Sequence, residues 1–174
     1  MTTSEEFQIL NEKNVSFLLS PTSCSCVTDL VILVSSSPSN FMARQRWRSL
    51  ISNQDIGYKV KLVFLVSTCV VNCDHDLVSE HEQYDDIVHS SLRDGHRRLG
   101  YKILSGYIWA YLNCPEAKYV LKTDDNVVMD LSLLISTTIT SKTYLDDDTI
   151  LCGSGPPHRN QRSIRFCLVL SLEY

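Results

Sequence analysis

The chain has 174 residues, 44% of them apolar and 21% charged, which is enough for a proper core and rules against wholesale disorder. A formal net charge of -4 argues against a general nucleic-acid binder, which carries a basic face. No apolar run approaches the roughly 18 to 20 residues needed to span a bilayer, and the start "MTTSEEFQILNEK" has acids where a secretory leader has positive charge, so the sequence as given predicts neither leader nor membrane anchor.

Residues 1–28 read as a polar, irregular N-terminal segment that closes on "SPTSCSC". Its sequon, Asn14-Val15-Ser16, has meaning only in a secretory compartment. The seven cysteines are Cys24, Cys26, Cys69, Cys73, Cys114, Cys152 and Cys167. An odd count leaves at least one thiol unpaired within the chain. Cys24-Ser25-Cys26 and Cys69 with Cys73 lack the second paired cluster of a zinc ribbon, so the expectation is some disulfides plus buried thiols.

"DLVILVSSS" (Asp29–Ser37) is a short, continuous apolar run rich in β-branched residues, the pattern of a strand buried on both faces. After Pro38, "SNFMARQRWRSLI" predicts a helix with Ser39 or Asn40 as N-cap. "YKVKLVFLVS" (Tyr58–Ser67) is a second buried strand, and "VSEHEQYDDIVHSSLRDG" reads as part helix and part turn. "HRRLGYKILSGYIWAYLNC" (His96–Cys114) repeats apolar residues every three to four positions, an amphipathic helix with Gly100 and Gly106 as weak points. "KYVLKT" (Lys118–Thr123) is a third strand and "MDLSLLISTTI" a further helix. Strands alternating with helices imply an α/β domain over 29–174, with a mostly parallel sheet covered on both faces. Functional groups then collect at the carboxyl ends of the strands.

Asp124-Asp125-Asn126 stands at such an end. Adjacent carboxylates repel and must be solvated, capped or neutralised, so a solvated loop and a site for a hard cation, Mn2+ or Mg2+, both account for the stretch. Asp146-Asp147-Asp148 follows no apolar strand and reads as a solvated loop. No glycine-rich phosphate loop is present, and "GSGPP" has prolines where a cradle needs N–H groups. The cluster "RQRWR" (Arg44–Arg48) beside the first strand end suits a diphosphate or, equally, a solvated helix face.

Taken together, several segments resemble the β-1,3-galactosyltransferase family of nucleotide-sugar glycosyltransferases, whose fold is of the GT-A type. They are "FLLSPTSC", "DLVILVSSSPSNFMARQRWRSL", "KLVFLV", "EHEQYDDIVHSSLRDGHRRLGYKILSGYIWAYLNCPEAKYVLKTDDNVVMDL" and "GPPHRNQRS". The resemblance implies inverting transfer of a hexose, galactose or N-acetylglucosamine, from a UDP-sugar to a glycan acceptor on glycoprotein or glycolipid, in the Golgi. It makes Asp124, Asp125 and Asn126 the metal motif, holding Mn2+ (or Mg2+) against the diphosphate. It places Arg44, Arg48, Asp94 and Lys102, with Asp124 and Asp125, at the nucleotide sugar. Tyr84, Asp86, Trp109 and Cys114 match as fold-bearing residues. The family usually has a third Asp where this chain has Asn126, and a small hydroxyl residue and a Trp where it has Leu50 and Ile51. The chain stops where the family continues to its acceptor half, so the expectation is an incomplete, GT-A-like domain with no assignable general base. The alternative is a non-catalytic UDP-sugar- or partner-binding relative, or an inactive fragment.

Overall fold

The computed structural model describes residues 15–53, 57–68, 74–127, 129–137, 150–153 and 166–170. In chain order the elements are β1 (Phe17–Leu19), β2 (Leu30–Ser35), α1 (Phe41–Ser52), β3 (Val60–Thr68), α2 (Asp74–Tyr84) and β4 (Ile87–Arg93). They continue with a 3-10 turn (His96–Arg98), α3 (Leu99–Asn113), β5 (Tyr119–Asp124), α4 (Leu131–Ile135), β6 (Ile150–Gly153) and β7 (Phe166–Leu170). The strands form one seven-stranded sheet in the order β1-β4-β3-β2-β5-β7-β6. The pairs β4–β3, β3–β2 and β2–β5 are parallel, and the outer pairs β1–β4, β5–β7 and β7–β6 are antiparallel. The expected α/β, GT-A-like and mostly parallel sheet is therefore the observed one.

Strict alternation along the central strands builds two cores. Leu30, Ile32, Val34, Phe64, Val66, Ile87 and Leu121 face one side, under Trp47 of α1, Leu77 of α2, and Leu131 and Ile135 of α4. Val31, Leu33, Val63, Leu65, Val88 and Val120 face the other, under Trp109 and Ala110 of α3. Helices thus cover both faces, and every residue of β2 is buried, as a continuous apolar run requires. Leu50 and Ile51, partly buried, pack on the first core, so apolar side chains suit the end of α1.

Two local expectations need correction. The stretch after α2 is not a turn: Ile87–Arg93 is a strand pairing with both β1 and β3. Only Ile87-Val88 signals it in the sequence, because His89 and Ser90 are polar and yet buried. The segment 1–28 is not irregular throughout either, since Phe17–Leu19 adds an edge strand to β4. From Ser16 onward this segment is tied to the domain. Thr22 donates its amide to both Asp85 carboxylate oxygens at 2.9 and 3.1 Å, Trp109 Nε1 donates to Ser20 Oγ at 2.9 Å, and Cys24 is disulfide-bonded to Cys114. Cys26 is a free, exposed thiol rather than a buried one. The "MDLSLLISTTI" helix is α-helical over Leu131–Ile135, where Asp130 caps it by accepting from the Leu133 amide at 2.9 Å, and continues as a π turn over 136–137. Asp146-Asp147-Asp148, Cys69, Cys73 and Asn14 lie outside the described residues.

Candidate active site

The order of the parallel strands decides where a site can form. From β2 the chain moves outward to β3 and β4 through α1 and α2 on one face, then returns past β2 to β5 through α3 on the other. The direction of winding reverses between β2 and β5, and in open α/β sheets a crevice opens at the carboxyl ends of the strands at such a switch point. A cleft of about 290 Å3 occupies that place, lined by Ser35, Ser36, Ser37, Asn40, Asp94, Gly95, Leu99, Lys102, Asp124, Asp125 and Asn126.

Each wall has its own support. The Asp125 amide donates to Ser35 O at 3.1 Å, and the Val127 amide closes the acidic turn on Asp124 O at 3.1 Å. Lys122 and Asp124, two apart on β5, share a face, and Lys122 Nζ donates to Asp124 Oδ1 at 2.6 Å. Asp125 Oδ2 accepts from Ser36 Oγ at 2.7 Å and from Asn40 Nδ2 at 3.0 Å. Asn40 is the N-cap of α1 by position, but no side-chain cap bond forms there. A register slip between Ser67 and Thr68 lets the Asp94 amide donate to Thr68 O at 2.9 Å, a bulge that turns the chain after β4 into the cleft. Gly95 follows with φ of 150°, a conformation open to glycine.

Lys102 of α3 crosses to the same place, donating from Nζ to Ser36 O at 2.7 Å and to Asp94 Oδ1 at 3.4 Å. Burial pulls this ammonium below the usual lysine range, against the opposing pull of Asp94, Asp125 and Asp124. The cleft thus gathers three carboxylates and the largely buried ammonium of Lys102, while the buried ammonium of Lys122 meets Asp124 without lining the cleft. Ser36 and Asn40, which hold Asp125, and Lys122, which holds Asp124, are supports of the site that sequence reasoning missed. For Lys122 a signal was there, a lysine inside an apolar strand two residues before the acid.

The structure brings Asp94, Lys102, Asp124, Asp125 and Asn126 to one cleft. Arg44 and Arg48 are neither there nor on a solvated face. Arg44 is 1% exposed, donating to Glu80, to Ser36 Oγ and to the carbonyls of Ser37 and Pro38. Arg48 pairs with Glu80 and, through two bonds, with Asp86, and its guanidinium stacks 3.9 Å from the Tyr84 ring centroid. Tyr84 and Asp86 hold Arg48, and Trp109 and Cys114 belong to the second core, so all four bear on the fold, as expected.

For a cation the chain offers two carboxylates and the Asn126 amide, all hard oxygen donors. Among the described residues no group of three or more His, Cys, Asp or Glu side chains is arranged to hold a metal. Hard oxygen donors of this kind could hold a divalent cation only as a few protein oxygens that share it with substrate phosphates.

A family model described as Galactosyltransferase matches residues 42–162. The chain belongs to the galactosyltransferase family. The match begins within α1 and takes in Asp94, Lys102 and the acidic turn, while the loop after β2 precedes it. Among curated relatives, beta-1,3-galactosyltransferase 4 of Homo sapiens is 36% identical over 119 residues, which is 62% of this chain and 30% of that protein. UDP-GalNAc:beta-1,3-N-acetylgalactosaminyltransferase 1 of Mus musculus is 34% identical over 112 residues, 61% of this chain and 34% of its own length. Lactosylceramide 1,3-N-acetyl-beta-D-glucosaminyltransferase A of Danio rerio is 30% identical over 116 residues, 61% of this chain and 31% of its length. The matched region therefore spans about a third of each of these relatives. No helix among the described residues is long and apolar enough to cross a membrane.

Proposed function

We propose that this chain forms the donor-binding part of a glycosyltransferase that moves a hexose from a UDP-sugar to a glycan acceptor, with inversion. The observation that carries the reading is the acid–lysine cleft at the sheet's switch point, in a chain of the galactosyltransferase family. The reading is supported by the sugars in the relatives' names, galactose, N-acetylgalactosamine and N-acetylglucosamine, and by lactosylceramide, a glycolipid, in one of them.

In the transfer, an acceptor hydroxyl oxygen bonds the anomeric carbon and gives its proton to a general base as the bond from that carbon to the diphosphate breaks, and negative charge develops on the departing UDP. Asp124, Asp125 and Asn126 would hold Mn2+ or Mg2+, which supplies Lewis-acid stabilisation of that charge. Lys102, held at the cleft wall by Ser36 O, adds a fixed positive charge on the diphosphate side. Asp94 keeps that ammonium in place. Asn126 brings an oxygen but no charge where a carboxylate would bring both, so cation affinity falls relative to a triple-acid turn. The Cys24–Cys114 disulfide supports an oxidising compartment, and the proposed setting is the Golgi lumen.

Calorimetric titration of UDP with and without Mn2+ tests the reading. Metal-dependent UDP binding that Asp124→Ala and Asp125→Ala abolish, and that Asn126→Asp strengthens, is the expected result. A cooperatively melting sample that takes up no UDP in the presence of Mn2+ would overturn it.

A further inference from the structure

We propose that Glu80 is a positioning residue of this cleft, acting on Asp125 through Arg44 and Ser36. The inference deepens the donor-site reading, which it needs for its ligand measurements only. Glu80 sits on α2, 5% exposed and away from the cleft lining. Arg44 meets it through both oxygens, Nε to Oε1 at 2.8 Å and Nη2 to Oε2 at 2.6 Å. Such a two-pronged pair fixes the plane of the guanidinium as well as its position. Arg48 Nη2 adds a bond to Oε1 at 2.6 Å.

With its plane set, the remaining donors of Arg44 grip the loop after β2. Nη1 reaches Ser37 O at 2.7 Å and Ser36 Oγ at 3.2 Å, and Nη2 reaches Pro38 O at 3.0 Å. A serine hydroxyl has one proton to give. Arg44 donates to Ser36 Oγ, so the proton of that hydroxyl points elsewhere, to Ser37 O at 3.3 Å or to Asp125 Oδ2 at 2.7 Å. Ser37 O already accepts from Arg44, and the bond to a carboxylate is the stronger. Orientation therefore passes from Glu80 to Arg44, from Arg44 to Ser36, and from Ser36 to the carboxylate assigned to the cation. Buried ion pairs rarely stabilise a fold better than apolar side chains of similar size, whereas fixing a register is their best-attested use.

The test is amide hydrogen exchange, read by NMR on the whole chain, for wild type, Glu80→Gln, Ser36→Ala and the double variant. Each single variant is expected to speed exchange of the Asp125 amide about tenfold, while the amides of Tyr119, which donates to Asp29 O, and Cys24, which donates to Asn113 O, stay protected. Adding Glu80→Gln to Ser36→Ala should change Asp125 no further. Equal acceleration at Tyr119 and Cys24, or an undiminished Glu80 effect in the Ser36→Ala background, would overturn the proposal and leave Glu80 a residue of the fold alone. If Glu80→Gln does not fold, Ser36→Ala, which leaves the ion pair intact, decides by itself, and an unmoved Asp125 amide counts against the proposal. Binding of UDP with Mn2+ should weaken about tenfold in each single variant, the usual effect of removing the support of a ligating group. Absence of UDP binding in wild type would defeat the donor-site reading, and the exchange pattern would still decide the role of Glu80.

Discussion

Lys122 holds Asp124 with an ammonium that is only 8% exposed, at 2.6 Å. A cation arriving at Asp124 meets that positive charge first. Replacing Lys122 with Met keeps the volume and removes the charge, so binding of Mn2+ without nucleotide is expected to tighten several-fold, as the loss of one nearby like charge implies. Paramagnetic relaxation or calorimetry with Mn2+ alone measures it. Unchanged or weaker binding in a folded variant would mean that Lys122 orients Asp124 and does not compete for it. Asp85 shows the same economy of short polar side chains at a different place. It takes a left-handed backbone, φ 49°, which aspartate tolerates better than most residues, and its carboxylate receives the Thr22 amide.

Between elements, the contact of α3 with β3 depends on Gly106. A Cβ there would fall on both methyl carbons of Leu65, a residue 1% exposed. The glycine that reads as a weak point in the helix is the condition for its close approach to the sheet. Gly106→Ala gains about 1 kcal/mol of helix propensity and loses about 1–3 kcal/mol to overpacking; with two methyls in the way we expect net destabilisation, seen as an earlier denaturant midpoint. Combined with Leu65→Ala the two effects should be less than additive, and strict additivity would remove the steric explanation. The second inter-element tie is Cys24–Cys114, which joins the segment before β2 to the end of α3 across 90 residues. Its loss in Cys24→Ser with Cys114→Ser should lower stability by about 2–5 kcal/mol, measured by denaturant melts. An unshifted melt would show that the Thr22 and Trp109 bonds suffice.

At the scale of the whole molecule, the buried ion-pair network sets the response to acid. Burial pushes the Glu80 carboxyl up, but the hydrogen bonds and charges of Arg44 and Arg48 outweigh it and hold the group below the ordinary glutamate value. A depressed carboxyl contributes stability that is complete above its unfolded pKa and is lost as pH falls through the folded one. Wild type should therefore lose stability steeply below about pH 4–5, and Glu80→Gln, which lacks the titrating carboxyl, should show a flatter acid limb. Thermal melts across that range check it, and parallel acid limbs would exclude Glu80 as the group responsible.

The continuous apolar runs over Asp29–Ser37, Tyr58–Ser67 and Lys118–Thr123 by themselves determined the parallel centre of the sheet, because strands buried on both faces have no polar side to vary. The placement of Asp124, Asp125 and Asn126 at a strand end followed from the same pattern, and the family was legible as a resemblance in the motif segments around them, which the family match over 42–162 bears out. The tertiary structure alone decided the rest. Strand β4 was hidden because His89 and Ser90 are polar and buried, and a local pattern does not show which polar groups will find partners inside. Arg44 and Arg48 read as a basic cluster open to ligand or water, since charge in a sequence carries no depth; Glu80 and Asp86, 36 and 38 residues further along, draw them under the cleft wall. Ser36 and Asn40 join the site only because β2 and β5 lie side by side, and that adjacency comes from the reversal of winding between them, which no local stretch of chain records.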